Sequence, residues 1–302
     1  MRVAVSGASG LIGGRLVLDL LAAGHEVTAL QRRPAPVPEG VRAALWPGRA
    51  AGAGWAQGLD DLDAVVHLAG SAIAAGRWTQ GRKREILQSR DQATRDLIAA
   101  FAAAGVRPRA FLCASAVGYY GPCGDEELDE ASPPGQDFLA RVCVAWEEAA
   151  LTAAGLGARV VRLRTGVVLA ASGGMLGRLL PFFRLGLGGP VGSGRQWLPW
   201  ISLEDEVQAI RTLLEREDAA GAYNLCAPAP VRSREFALAL GQVLHRPAAL
   251  PLPEPSVRLL FGEMGEAVLL SGQRALPRRL SDLGYRFRHA ELDAALGQCL
   301  QR

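Results

Sequence analysis

The chain has 302 residues, 49% of them hydrophobic and 21% charged, with 36 glycines and 18 prolines. That length provides one or two domains and a core that removes roughly three quarters of the unfolded surface from water, while the composition excludes a disordered chain and the lack of a glycine period excludes collagen. The 33 Lys and Arg outnumber the 30 Asp and Glu by three, without a long basic block, so neither nucleic acid nor an anionic membrane is expected as a partner.

In chain order, VAVSGASGLIGGRLVLDLLAAGHEVTAL predicts a strand over 3–6, a glycine-rich turn, a helix over 11–23 and a strand over 26–30, the pattern of a βαβ unit. The alternation continues with strands near 41–45 and over 64–68, a helix over 81–104, a strand over 109–114, a helix over 137–154 and a strand over 158–164. Residues 34–63, rich in Pro, Gly and Ala, carry weak local signals. Residues 118–136 are long for a connector and are expected to form an active-site or surface loop. Beyond about 165 the periodicity is less regular: a helix, a glycine-rich connection and an aromatic segment lead to a helix over 204–217, a strand over 222–226, and helices near 232–244, 255–262 and 290–300. The expected fold class is α/β, a doubly wound parallel sheet with a smaller C-terminal α/β substrate domain. Residues 1–165 are mainly nucleotide-binding and 166–302 mainly substrate-binding, with some late elements returning to the first sheet.

Five cysteines at 113, 123, 143, 226 and 299 form no CxxC pair and accompany only four histidines, which predicts a reducing compartment, no disulfide framework and no metal site. The apolar N-terminus contains glycines, Asp19, His25 and Glu26, so a strand, turn and helix account for it better than a secretory signal. No run reaches the roughly 18 apolar residues of a membrane span. A cytoplasmic location is expected.

Gly7, Gly10 and Gly13 give G-x-x-G-x-x-G between a predicted strand and helix. A residue without a side chain permits the tight turn, the close approach of a pyrophosphate and close helix–sheet packing, and free N–H groups at the helix start receive phosphate oxygens. The second strand runs into Gln31, Arg32 and Arg33; an arginine there accommodates a 2′-phosphate where an acidic residue would hold a free ribose hydroxyl. NADP(H) is therefore expected rather than NAD, with a solvated strand exit as the other reading of the arginines. His67-Leu68-Ala69-Gly70 ends another strand, and its small residues let a nucleotide approach the backbone; His67 itself reads equally as a core histidine. Glu85 and Arg90 stand about 500° apart on an ideal helix, off any common face, and surface charge is the default for both.

Together GASGLIG, HLAG, GRW at 76–78, SR at 89–90, SAVGYYG, FLARVCVAWE, RTGVVLA, LGLGGPVGSGRQW, NLCAPAPVRSREF and GQRALPRRL resemble the atypical extended short-chain dehydrogenase/reductase group of the NAD-dependent epimerase/dehydratase-like family, over nearly the full chain. The resemblance implies a Rossmann-type domain with a smaller substrate domain, NADP(H) binding and an oxidoreductase role. It places the turn from Gly7 through Ser9, Gly10, Leu11, Ile12 and Gly13 on the pyrophosphate, and Gln31 and Arg32 at the 2′-phosphate end. Leu68 and Ala69 fall beside adenosine, Glu85 and Arg90 near the cofactor, and Val168 on the nicotinamide side. A homodimer is compatible with the superfamily. His67 departs from the usual asparagine, and Leu139-Ala140-Arg141-Val142-Cys143 stands where relatives carry Tyr-x-x-x-Lys, whose phenol transfers a proton and whose ammonium favours phenolate.

Ser115, Tyr119 and Tyr120 follow the strand predicted at 109–114. Tyr120 is the favoured proton donor, with Ser115 polarising a carbonyl; an aromatic anchor is the other reading of either Tyr. Cys143 lacks a neighbouring histidine in sequence and reads as a small buried hydrophobe. Arg195, Trp197 and Trp200 form a substrate-facing candidate, Arg195 as an anion clamp, against caps and core packing, and Asp205 suits a helix N-terminus. The leading expectation is an NADP(H)-dependent oxidoreductase reducing a small carbonyl substrate. A sugar-nucleotide epimerase or dehydratase is one alternative, and a NADP(H)-binding regulatory or structural protein with little turnover is the other.

Overall fold

The computed structural model describes residues 1–48, 52–59 and 61–300. Its strands are β1 (Arg2–Ser6), β2 (Glu26–Gln31), β3 (Val41–Leu45), β4 (Ala64–His67), β5 (Ala110–Ala116), β6 (Glu127–Leu128), β7 (Arg159–Thr165), β8 (Val167–Leu169), β9 (Trp197–Leu198), β10 (Trp200–Ser202), β11 (Gly221–Leu225), β12 (Val231–Arg232) and β13 (Arg274–Ala275). Its helices are α1 (Leu11–Ala22), α2 (Gln80–Gln88), α3 (Asp91–Ala103), α4 (Phe138–Leu151), α5 (Gly174–Arg184), α6 (Leu203–Glu215), α7 (Ser233–Val243), α8 (Glu254–Phe261), α9 (Glu263–Leu269), α10 (Arg278–Asp282) and α11 (Leu292–Leu300).

Continuous apolar runs such as AVV in β4 and FLC in β5 are buried on both faces, as strands between two helical layers must be. The described residues form a seven-stranded sheet in the order β11-β7-β5-β4-β1-β2-β3, parallel throughout. Leu16, Val17 and Leu20 of α1 and Val207, Ile210 and Leu214 of α6 cover one face. Leu97 and Phe101 of α3 and Trp146 of α4 cover the other. Successive strands run outward from β1 in one direction and from β4 in the other, so their carboxyl ends frame a topological switch point, where doubly wound sheets place ligands.

The chain leaves this sheet after Thr165 and rejoins it at β11, whose Leu225 lies opposite Thr165. A smaller core, built from Leu176, Leu180 and Phe183 of α5, Phe236 and Leu240 of α7 and Leu296 of α11, holds the C-terminal lobe. No described helix is long and apolar enough to cross a membrane, and the five cysteines are free thiols.

The helix expected over 81–104 is two helices. Ser89 Oγ donates to the Ile86 carbonyl at 2.9 Å and Arg90 Nη1 reaches the same oxygen at 3.2 Å, so side chains take the acceptor that the continuing helix needs. The helix expected over 137–154 ends at Leu151 and tightens into a 3-10 turn over Thr152–Leu156. Residues 118–136 are closed at the base: the Gly135 N–H donates to the Tyr119 carbonyl at 2.9 Å. A Cβ on Gly135 would stand 2.5 Å from the Tyr120 carbonyl oxygen.

Candidate active site

Gly7 adopts φ +72°, and a Cβ on Gly13 would lie 2.2 Å from the Gly7 carbonyl oxygen. Only glycine lets α1 start this close to the turn. Gly10 caps α1 without a side chain, and the first turn carries no acidic residue. Backbone donors of Leu11, Ile12 and Gly13, with the positive end of the helix, therefore suit a pyrophosphate. Ser9 and Gly10 are exposed at the tip. A Cβ on Gly173 or Gly174, at the start of α5, would sit 3.4 or 3.5 Å from the Leu11 side chain, so the C-terminal lobe closes against the turn.

Behind the turn runs a polar chain that gives His67 a structural role. Thr94 Oγ1 donates to the Arg90 carbonyl at 2.5 Å and so accepts from His67 Nε2–H at 3.0 Å. His67 Nδ1 is then the acceptor for Ser6 Oγ–H at 2.7 Å, and Ser6 Oγ accepts from the Leu68 and Ala69 N–H groups at 3.1 and 3.2 Å. Burial drives the imidazole down to about 3, so it is neutral, as this pattern requires. The chain fixes the ends of β1 and β4 and the start of α3, placing Leu68 and Ala69 beside Gly7.

Glu85 and Arg90 do converge, through the helix break. Ser71 Oγ donates to Glu85 Oε1 at 2.8 Å, and Arg90 Nη1 donates to the Ser71 carbonyl at 3.0 Å. The guanidinium lies 3.1 Å from where a Cβ on Gly70 would be and 4.9 Å from the Trp146 ring. Gln31 exchanges two hydrogen bonds with the Ala35 backbone at 3.1 and 3.3 Å, while Arg32 and Arg33 are exposed beyond β2. Val168 is half-buried in β8, which pairs with β10. The loop that carries Ser71 is tied to the C-terminal lobe by Arg178 Nη1 donating to the Ala74 carbonyl at 2.8 Å and Arg77 Nη2 to the Leu259 carbonyl at 3.0 Å.

Ser115 Oγ donates to Glu147 Oε1 at 2.8 Å, and Glu147, 3% exposed, also receives Arg164 and Arg162. Tyr120 is 1% exposed; its hydroxyl donates to Asn224 Oδ1 at 2.6 Å and accepts from Arg164 Nη1 at 3.0 Å. Burial raises its phenol well above the usual range. Both hydroxyls belong to a buried ion-pair network, and neither is open to a carbonyl oxygen in this structure. Burial likewise pushes the Cys143 thiol up to about 12, keeping it protonated.

Trp200 is wholly buried and donates to the Ala229 carbonyl at 3.0 Å, a core role. Trp197 is half-buried, with the Arg232 and Arg274 guanidinium carbons 3.9 and 4.9 Å from its ring. Asp125, from the 118–136 loop, accepts from Trp197 Nε1 at 2.9 Å and pairs with Arg232 at 2.7 Å. Ser202 caps α6 by accepting the Asp205 N–H at 3.1 Å, and the Asp205 carboxylate accepts from the Ser202 hydroxyl at 2.8 Å and from the Arg288 and His289 N–H groups at 2.7 and 2.9 Å, so its role is structural. Among the described residues no group of His, Cys, Asp and Glu is arranged to hold a metal ion.

Sequence patterns did not single out Ser6, Thr94, Glu147, Arg164, Thr165 or Glu206. Glu147 and Arg164 give one local signal, a charge on an otherwise apolar face. Glu206 is fully buried; its Oε1 accepts from Thr165 Oγ1 at 2.8 Å, and its Oε2 lacks a partner among the described residues. Burial, only partly offset by that hydrogen bond, raises its carboxyl to about 8.

A parallel sheet with a glycine turn at its switch point and an uncapped helix start define a nicotinamide-dinucleotide-binding protein of the extended Rossmann class. Residues 3–226 match the model of the NAD dependent epimerase/dehydratase family, and residues 252–299 match a domain of unknown function, DUF1731. An epimerase family protein of Mycobacterium bovis is 45% identical over 300 residues, covering 99% of this chain and 98% of the relative. The crystal structure of human epimerase family protein SDR39U1 (isoform 2) with NADPH superposes with a TM-score of 0.88 at 36% identity, covering 100% of both chains. A nucleoside-diphosphate sugar epimerase from Corynebacterium glutamicum gives a TM-score of 0.78 at 32% identity, covering 99% of this chain and 58% of that one. The chain belongs to the NAD dependent epimerase/dehydratase family.

Proposed function

We propose that the chain is an NADP(H)-dependent oxidoreductase that moves a hydride between the cofactor and an alcohol or carbonyl carbon. The exposed Arg32 supports the phosphate-bearing cofactor, because a guanidinium pairs with a 2′-phosphate and gains little from a free ribose; the NADPH in the 36% identical human protein agrees. Bound cofactor supplies the hydride. The backbone N–H groups from Gly7, Ser9 and Gly10 to Gly13 hold its pyrophosphate, with Gln31 and Arg32 at the 2′-phosphate. Leu68 and Ala69 line the adenosine, Glu85 and Arg90 steady the loop over the cofactor, and Val168 faces the nicotinamide.

A nucleoside-diphosphate sugar is a better supported substrate than the generic small carbonyl compound. The observation that carries it is the cluster of Arg232 and Arg274 about the half-buried Trp197, two guanidiniums that now pair with Asp125 and Glu127 and that a diphosphate would take over. The 32% identical C. glutamicum protein, a nucleoside-diphosphate sugar epimerase, points the same way. Net carbonyl reduction is the second reading, favoured by Leu139 and Cys143 in place of the tyrosine and lysine and by the buried Glu206 acid.

Purified protein with NADP+ or NADPH, offered a panel of nucleoside-diphosphate sugars and simple aldehydes and ketones, separates these readings by nicotinamide absorbance and product NMR. A rearranged sugar without net cofactor consumption supports the first reading; stoichiometric NADPH oxidation supports the second. Cofactor binding with neither outcome contradicts both and leaves a binding protein.

A further inference from the structure

An unpaired carboxyl in a protein interior costs stability that an apolar side chain of similar size would not. Glu206 is such a group, with 0% exposure and an Oε2 that has no partner among the described residues. Among the described residues its carboxylate accepts from the Thr165 hydroxyl at 2.8 Å. Thr165 is half-buried at the carboxyl end of β7, opposite Ala116 of β5 and Leu225 of β11, and is followed by Gly166. The flanking Ala116 and Gly166 are small, and Val168, which the proposed function puts on the nicotinamide side, lies three residues on. Ser115 is also backed by an acid, Glu147, but it is buried, as is Tyr120, whereas Thr165 is a half-buried hydroxyl with an acid behind it.

We infer that Thr165 is the group that protonates the substrate oxygen and that Glu206, acting through it, is the positioning residue that holds the replacement proton. This rests on the hydride-transfer reading above. When Glu206 is ionised, Thr165 O–H donates to it; when Glu206 is protonated, its Oε1–H donates to Thr165 Oγ1 and turns the threonine proton outward. In the reducing direction, a hydride from reduced nicotinamide dinucleotide forms the new C–H bond and brings both electrons, and the carbonyl oxygen forms an O–H bond as the Thr165 O–H bond breaks. The Glu206 proton passes to Thr165 Oγ1. The products are an alcohol, oxidised cofactor and a Glu206 carboxylate, to which a solvent proton returns through the Thr165 hydroxyl after the alcohol leaves. The titratable groups that feel the Glu206 charge are Cys226, just past β11, and Tyr285, before α11, neither of which is a cation. Burial therefore keeps the acid protonated at neutral pH.

Two measurements test this inference. Calorimetry near pH 8 in buffers of different ionisation enthalpy reads protons released on binding: the positive nicotinamide of NADP+ favours the carboxylate, so NADP+ expels protons where NADPH does not, and Glu206→Gln loses that difference. A wild-type protein without the difference, or a Glu206→Gln variant that retains it, overturns the inference whether or not any substrate is turned over. On a substrate found in the panel, Glu206→Gln and Thr165→Val each lower the reduction rate about 10²-fold, Thr165→Ser restores it, and Glu206→Gln removes the fall in rate above about pH 8. An unchanged alkaline limb in Glu206→Gln also overturns it. Failure of the entire panel, with the proton-release difference present, counts against the proposed function and not against the acid beside the nicotinamide.

Discussion

A single β-carbon at position 13 would meet the Gly7 carbonyl oxygen at 2.2 Å, a contact that neither the turn nor the helix can relieve without moving the N–H groups proposed to hold the pyrophosphate. Gly13→Ala is therefore expected to lower stability by about 1–3 kcal/mol and to weaken NADPH binding at least tenfold, read by thermal denaturation and by titration. At His67 the expected effect is one of pH. Its imidazole is depressed to about 3 in the fold, against an unfolded value of about 6.5. Between these values the unfolded chain binds the extra proton, so stability is fully present above about 6.5 and falls as the pH drops towards 3. Glu206 has the opposite sign: its pKa is raised to about 8, so its contribution is present below about 4.5 and is lost as the pH rises through 8. Denaturant titrations across pH should show the acid-side slope shrink in His67→Asn and the neutral-to-alkaline slope shrink in Glu206→Gln; unchanged slopes would contradict these assignments.

Elements whose cause is local were legible in the sequence, and those set by remote partners were not. The first βαβ unit is written in adjacent apolar runs and three glycines. The break between α2 and α3 depends on Ser89 and Arg90 meeting Ser71, 18 and 19 residues upstream, and helical periodicity carries no trace of it. The two-residue strands β6 and β13 pair across the chain, Glu127 with Arg274, and are too short to have a period. Ser115 and Tyr120 were visible as hydroxyls at and beyond the end of β5, but their commitment to Glu147, Arg164 and Asn224 arises only when α4, β7 and β11 come together. Glu206 hid among three consecutive acids at the start of α6, where charge is ordinary. The Glu147 network also supplies a test at this scale. Glu147→Ala leaves Arg164, 2% exposed, as an unpaired buried charge and is expected to cost about 3–5 kcal/mol, measured by denaturant unfolding; a loss below 1 kcal/mol would mean the pair is not the tie between α4 and β7.

Across the whole molecule, the sheet presents its carboxyl ends to a crevice closed by the C-terminal lobe, through α5 against the glycine turn and through Arg77 and Arg178 over the Ser71 loop. The glycine turn at this crevice suits a nicotinamide dinucleotide. The proposed selection of NADP(H) over NAD rests on Arg32 and is testable without knowing the substrate. Isothermal calorimetry of wild type and Arg32→Ala with NADPH and with NADH, at one fixed ionic strength because the contact is electrostatic, measures it directly. A clear wild-type preference for NADPH that collapses in Arg32→Ala is the predicted result; equal affinity for the two cofactors, or binding of neither, would contradict it.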